Sequence, residues 1–317
     1  MGYYIKRVLS AFFTLLIIAS LTFFMMRAIP GGPFERERSL DPVIEARLLA
    51  KYNLDAPLIE QYFDYMGGLF RLDLGPSFTV KGYTVNEIIA AGFPVSAKIG
   101  IISVIMVVII GIPIGIISAL KQNKPIDYTV MVLATLGVTI PSFVVATLYL
   151  YFFGVQLNWV PAGGIGPSPL YYIGPVIALS GYSLSFVARL TRSSMLEVLQ
   201  QDYIRTARAN GIKEWKVMGK HALKNALIPV ITYIGPMIAA VLTGSFVVEN
   251  VFDIPGIGDR FVSSVSNRDY TMIIGVTVFY AAFYIIMVLL VDIAYSFIDP
   301  RIRLGKKSGD WYEQNWF

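Results

Sequence analysis

The sequence predicts an all-α membrane protein, a polytopic bundle of six transmembrane helices. Three observations lead there. Hydrophobic residues make up 56% of the 317 and charged residues only 15%, a balance that a water-soluble surface could not cover. Apolar runs recur that are long enough to cross about 30 Å of hydrocarbon at about 1.5 Å per residue. Lysine and arginine concentrate in alternate short loops rather than spreading along the chain.

The first expected span covers 8–29. Lys6 and Arg7 precede it, as they would a secretory signal, but the run from Val8 to Met26 exceeds a usual signal core and no small-x-small cleavage site follows before Pro30. The remaining spans are expected at 96–120, 128–154, 170–190, 227–249 and 272–298. An even number puts both termini on one side. Lys6 and Arg7, Lys121 and Lys124, the stretch from Arg189 to Lys224, and Arg301, Arg303, Lys306 and Lys307 all fall on that side, which the positive-inside rule makes the cytoplasm. The opposite loop 155–169 has no charge, and 250–271 has only Arg260 and Arg268 as cations.

Four domains follow: 1–29, the first span; 30–95, an extracytoplasmic loop with short helices; 96–298, a five-helix core that includes a basic loop at 190–226; and 299–317, a cytoplasmic tail. Within the outer loop, Asp41-Pro42 has the form of an N-cap and first helical residue, and Pro57 opens a helix stopping at Gly67-Gly68. Thr84 and Glu87 have capping-box spacing ahead of a short segment ending near Phe93-Pro94.

The basic loop carries Arg192, Arg205, Arg208, Lys213, Lys216, Lys220 and Lys224 against Glu197, Asp202 and Glu214. The four lysines share one helical face, with Ile212 and Trp215 on another. Gly211 separates the helical stretches Met195–Ala209 and Lys213–Ala226, where a glycine can adopt positive φ and reverse the chain. Three readings compete: a helix lying on an anionic lipid surface, a solvated positive-inside loop, and a protein-docking hairpin. The small residues Thr206, Ala207, Ala209 and Gly211 favour the last, because they let a partner approach closely.

The segment Asp202-Tyr203-Ile204-Arg205-Thr206-Ala207-Arg208-Ala209-Asn210-Gly211, followed by His221-Ala222-Leu223-Lys224-Asn225-Ala226-Leu227-Ile228-Pro229, resembles the EAA loop of bacterial ABC importer permeases, and more narrowly the B-type permeases of oligopeptide, dipeptide and nickel importers. The resemblance extends to Ala28-Ile29-Pro30-Gly31-Gly32-Pro33-Phe34, Ala188-Arg189-Leu190-Thr191-Arg192-Ser193-Ser194-Met195, Glu249-Asn250-Val251-Phe252, Pro255-Gly256-Ile257-Gly258, Asn267-Arg268-Asp269-Tyr270 and Asp299-Pro300-Arg301.

The resemblance implies the type I permease fold, with a coupling loop that docks on an ATPase through Tyr203, Ile204, Arg205, Thr206, Ala207, Arg208, Ala209, Gly211 and Trp215. The motif's glutamate falls on Arg205, its first alanine on Thr206 and its last proline on Lys224, so this chain departs from the pattern there. Implied partners are a homologous C-type permease, two cytoplasmic ATPase subunits, an extracytoplasmic peptide-binding protein, the lipid bilayer of a bacterial inner membrane and a peptide substrate.

No phosphate-loop motif occurs: Gly219-Lys220-His221 and Gly305-Lys306-Lys307-Ser308 lack the upstream glycine. The expectation is a non-catalytic subunit that binds no cofactor, with ATP and magnesium handled by partners. The net charge of +5 belongs to loops and implies no nucleic-acid partner. With no cysteine and His221 the single histidine, a conventional zinc site is excluded and peptide is preferred over nickel. Pro255-Gly256-Ile257-Gly258 reads as a turn or re-entrant segment at the outer surface. Pro141, Gly235 and Pro236 are candidate hinges or pathway residues. The rival reading, a stand-alone secondary transporter or channel, would need intramembrane ionisable groups, and Asp292 is the clear one.

Overall fold

The computed structural model describes residues 2–29, 47 and 49–298. The expectations at Asp41-Pro42, Pro30–Phe34, the Asp299 motif, the C-terminal tail and the Asp292 side chain lie outside what is described. Among the described residues the architecture is helical, with one isolated antiparallel bridge between Pro76 and Thr84. Among these residues four helices are long and apolar enough to cross a membrane, and the number rises to as many as six when each of two bent pairs is counted as one span.

The elements are α1 (Gly2–Ala28), α2 (Leu58–Phe70), α3 (Val85–Leu120), α4 (Pro125–Thr139), α5 (Ser142–Gln156), α6 (Leu170–Leu199), α7 (Asp202–Ala209), α8 (Glu214–Ala226), α9 (Ile228–Leu242), α10 (Phe246–Val251), α11 (Ile257–Ser266) and α12 (Tyr270–Ile298). Their outward faces carry large apolar side chains such as Phe13, Ile17, Leu21, Ile109 and Leu133, as lipid contact requires and water would not favour.

Several boundaries differ from expectation for physical reasons. The helix behind Pro57 runs past Gly67-Gly68 to Phe70, because glycine weakens a helix without ending it. The Thr84 capping box forms: Glu87 N donates to Thr84 Oγ1, and Thr84 N donates to Glu87 Oε2 at 2.8 Å. The helix it opens does not stop at Pro94. It continues through Pro94 and Pro113 to Leu120, with a π-helical turn at Val107–Gly111 that accommodates a local mismatch in the hydrogen-bond ladder. The 95/96 domain boundary therefore falls inside one helix. Tertiary packing outweighs the proline penalty.

The expected span at 128–154 is formed by α4 and α5, bent by 99° at the candidate hinge Pro141. Ile140 precedes Pro141 and is extended, with ψ 121°, as the ring of the following proline demands. The expected span at 227–249 ends at Leu242. Gly244 follows with φ +81°, and α10 starts afresh under a Ser245 cap. The bend before it, 49° between α8 and α9, lies at Leu227, whereas α9 is unbroken through Gly235 and Pro236. Those two residues are therefore not a helix break. The stretch Met195–Ala209 is not one helix either, since α6 runs to Leu199 and α7 begins at Asp202.

Two buried carboxylates organise the end of the bundle remote from the basic loop. Glu249, 3% exposed, accepts from Gly258 N at 2.9 Å and Asp259 N at 3.2 Å, so it caps α11 from outside that helix. Ile257 N donates to Ser96 Oγ of α3 at 3.0 Å. A Cβ on Gly256 would lie 2.3 Å from Glu249 Oε2, and one on Gly244 would lie 2.2 Å from Oε1. Within the Pro255–Gly258 turn Pro255 is exposed, whereas Gly256, Ile257 and Gly258 fold back into the bundle and are buried.

Asp269 is fully buried. Its Oδ2 accepts from Ser77 Oγ, Phe78 N, Thr79 N and Thr79 Oγ1, and its Oδ1 from Thr271 Oγ1 and Met272 N. These bonds fasten the loop ahead of α3 to the start of α12. At the other end, Asp127 is buried under Arg192, Ser118 and the Asn123 amide.

Candidate coupling surface

The basic loop folds as a helical hairpin, α7 and α8, at the end of the bundle where α3 finishes and α4 begins. Gly211 makes the reversal with φ +71°, a conformation costing other L-residues about 1 kcal/mol or more. Gly211 N donates to Arg208 O, and Ile212 N donates to Ala207 O, which satisfies carbonyls left open at the end of α7.

The hairpin has an inner and an outer face. Ile204 and Ala207 are buried against Val217, Ala222 and Ala226, in a cluster that includes Met195 of α6 and Ala119 of α3. The expectation that these two belong to a docking surface is corrected: they anchor the hairpin to the spans. A small residue is required at 207 by the packing of one arm on the other. Tyr203, Arg205, Thr206, Arg208, Ala209, Gly211 and Trp215 are exposed, Trp215 at 69%.

Charge on the outer face is distributed unevenly. Arg208 Nη2 donates to Glu214 Oε1 at 2.7 Å, and its Nε donates to Oε2 at 3.2 Å. This pair staples the two arms across Gly211 and holds the Glu214 carboxyl below the usual glutamate range, chiefly through the hydrogen bonds from Arg208. Arg205 has a looser partner, Asp202 at 3.7 Å with both side chains in solvent, a pairing worth little. Lys213, Lys216, Lys220 and Lys224 are all exposed, so one face of α8 is cationic. A π-helical turn at Val217–Ala222 interrupts it. Tyr203 OH accepts from Asn225 Nδ2 at 2.8 Å, a second tie between the arms.

Among the described residues no group of three or more His, Asp or Glu is placed to hold a metal. The surface is built of small residues, an indole and cations, which suits protein contact rather than bond chemistry.

The sequence matches the family described as binding-protein-dependent transport system inner membrane component over residues 111–304, and the N-terminal component of the same description over residues 1–100. The chain belongs to this family. It is a multi-pass membrane permease subunit of an ABC transport system. Similar relatives include the dipeptide transport system permease protein DppB of Bacillus subtilis, 48% identical and covering 96% of this chain and 99% of the relative. The oligopeptide transport system permease proteins OppB of Salmonella typhimurium and Escherichia coli are 47% and 46% identical, each covering 94% of this chain and 98% of the relative.

Inward-facing MetNI methionine ABC transporter structures share the fold, with a TM-score of 0.50 and 16% identity over 69% of this chain and 97% of theirs. The rival reading of a stand-alone transporter has no support in these relationships. Sequence reasoning missed Glu249, Asp269 and Asp127 as organising groups. The local sequence carries little signal for any of them: Glu249 lies between Val248 and Asn250, Asp269 between Arg268 and Tyr270, and Asp127 between Ile126 and Tyr128.

Proposed function

We propose that this subunit forms half of the translocation pathway of a peptide importer in a bacterial inner membrane, with both termini cytoplasmic. A homologous C-type permease supplies the other half, and an extracytoplasmic binding protein delivers peptide. Two cytoplasmic ATPase subunits hydrolyse ATP with magnesium, so the chain itself is non-catalytic and binds neither. The naming of relatives at 46–48% identity as oligopeptide and dipeptide permeases supports the peptide assignment.

The observation that carries the coupling role is the division of the hairpin into a buried anchor, Ile204 and Ala207, and an exposed apex around Gly211. A partner pressing on the apex moves the anchor. The anchor is packed against α3 and α6, so the movement reaches the pathway helices as one body. ATP binds the closed ATPase pair more tightly than the open one, and this differential affinity shifts the permease between two packings. The C-terminal end of α4's bend at Pro141 is a place where such a shift can be absorbed, and Gly235 and Pro236 remain candidates for lining the pathway.

Gly211 provides the test, because no atom of this chain lies within 4 Å of a Cβ built there. Asparagine tolerates positive φ, whereas tryptophan combines the backbone strain of that conformation with bulk facing a partner. Gly211→Asn is expected to retain peptide uptake and ATPase co-purification, and Gly211→Trp to lose both. Full uptake with Gly211→Trp overturns the docking role.

A further inference from the structure

A cavity of about 320 Å³ lies at the end of the bundle opposite the hairpin, between α1, α2, the loop before α3 and the start of α12. Three polar atoms in its surroundings are buried without a hydrogen-bond partner: Arg27 Nε, Tyr65 OH and Gln61 Oε1. All three residues line the cavity. Buried polar groups are almost always satisfied, so three orphans around one space indicate a missing partner.

The chemistry of that partner follows from the donors. The Arg27 guanidinium lies 5.5 Å from the Phe23 ring centroid and 5.9 Å from that of Tyr270, which position the cation without using its N–H groups. Burial pushes the Tyr65 phenol well above its ordinary value, so it stays a neutral donor. Lys51 adds a second cation at the rim, and Asp64 is the opposing carboxylate, already accepting from Asn53 Nδ2 at 2.8 Å. Gln61 Nε2 is spent on Leu54 O and Ala56 O, leaving only its carbonyl oxygen to accept. The cavity therefore presents cationic and hydroxyl donors for an oxyanion, beside acceptors, Gln61 Oε1 and Asp64, for an ammonium or hydroxyl carried on the same ligand.

Depth identifies the source. Arg27 follows the apolar run Val8–Met26, which at about 1.5 Å per residue places its guanidinium where headgroups begin. Phe13, Ile17, Leu21 and Phe24 on the same helix face outward, so acyl chains can run along α1 beneath the cavity.

We propose that this cavity binds the phosphate of a phospholipid headgroup, with Arg27 and Tyr65 as donors to the phosphate oxygens and Gln61 accepting from the headgroup's amine or hydroxyl. The site is independent of peptide and ATPase coupling, so it stands or falls apart from the function proposed above.

The test uses the full importer complex extracted in mild detergent, with retained phospholipid counted by native mass spectrometry for wild type, Arg27→Gln and Tyr65→Phe. Tyr65→Phe removes only an unpartnered hydroxyl, so it leaves folding intact. Arg27→Gln is expected to lower lipid occupancy about tenfold, and Tyr65→Phe severalfold, the usual size for losing a charge-assisted and a neutral bond. A delipidated complex should regain protection of the Arg27 region in hydrogen exchange from phosphatidylethanolamine or phosphatidylglycerol vesicles and not from millimolar inorganic phosphate. Protection by inorganic phosphate alone overturns the lipid source. Unchanged lipid retention in both variants overturns the site, as does protection supplied only by the extracytoplasmic binding protein.

Discussion

Arg192 grips Asp127 with two hydrogen bonds, Nε to Oδ1 at 2.6 Å and Nη2 to Oδ2 at 2.7 Å, across a separation of 65 residues. Ser118 Oγ donates to the same Oδ1, and Asn123 N donates to Oδ2 at 3.0 Å. One carboxylate thereby ties the end of α3, the turn to α4 and the lower half of α6.

Removing one partner of that pair leaves a charge without compensation. Arg192→Ala is expected to lower stability by about 3 kcal/mol, read as a fall in the thermal midpoint of the purified complex. Arg192→Ala with Asp127→Asn should recover part of the loss, and a purely additive double variant would contradict the coupling.

The knot at Glu249 gives a second prediction. Gly256→Ala places a methyl against the Glu249 carboxylate and is expected to cost about 1–3 kcal/mol. Glu249→Ala leaves the Gly258 and Asp259 amides unpaired and is expected to cost about as much. Both should raise protease sensitivity between α10 and α11, and wild-type resistance in either would show that the knot is dispensable.

The two faces of the hairpin should separate in mutagenesis. Ile204→Ala opens a hole in a fully buried position and is expected to destabilise by about 2–4 kcal/mol, visible as faster amide exchange in α7. Trp215→Ala should leave the thermal midpoint unchanged and reduce co-purifying ATPase. The reverse pattern would exchange the roles of the faces.

The Arg208–Glu214 staple has a pH signature. Glu214 is held below its ordinary value in the folded hairpin, so its contribution is present above the unfolded glutamate range, near pH 4.3, and disappears as pH falls through the lower folded value. Both side chains are well exposed, at 43% and 60%, which limits the effect to a few tenths of a kcal/mol. Glu214→Gln should therefore matter only slightly at pH 7, and progressively less as the pH falls below the ordinary glutamate range. A large effect at pH 7 would mean that Glu214 has a second role.

Local signals were legible in the sequence, and long-range ones were not. The Thr84–Glu87 box, the extended residue before Pro141 and the positive φ of Gly211 each depend on neighbours within a few positions. The burial of Ile204 and Ala207 needs the second arm in place, although their spacing of three residues already put them on one side of α7. Glu249 and Asp269 were visible only as letters within motifs. Their meaning depends on an α3 serine 161 residues from the turn it holds, and on Ser77, 192 residues before Asp269. Proline misled in both directions: Pro94, Pro113 and Pro236 lie inside helices that neighbouring helices support, whereas Pro141 marks a bend far sharper than an intrahelical kink.

The 36 residues of α3 span about 54 Å at the α-helical rise, against about 30 Å of hydrocarbon. A rod of this length reaches well beyond the hydrocarbon at both ends. Its Leu120 end abuts the hairpin cluster through Ala119, and its Thr84 end is tethered to α12 through the Asp269 loop. A rigid tilt of such a rod about the bilayer displaces its two ends in opposite directions, which makes α3 the shortest mechanical route between the two aqueous compartments.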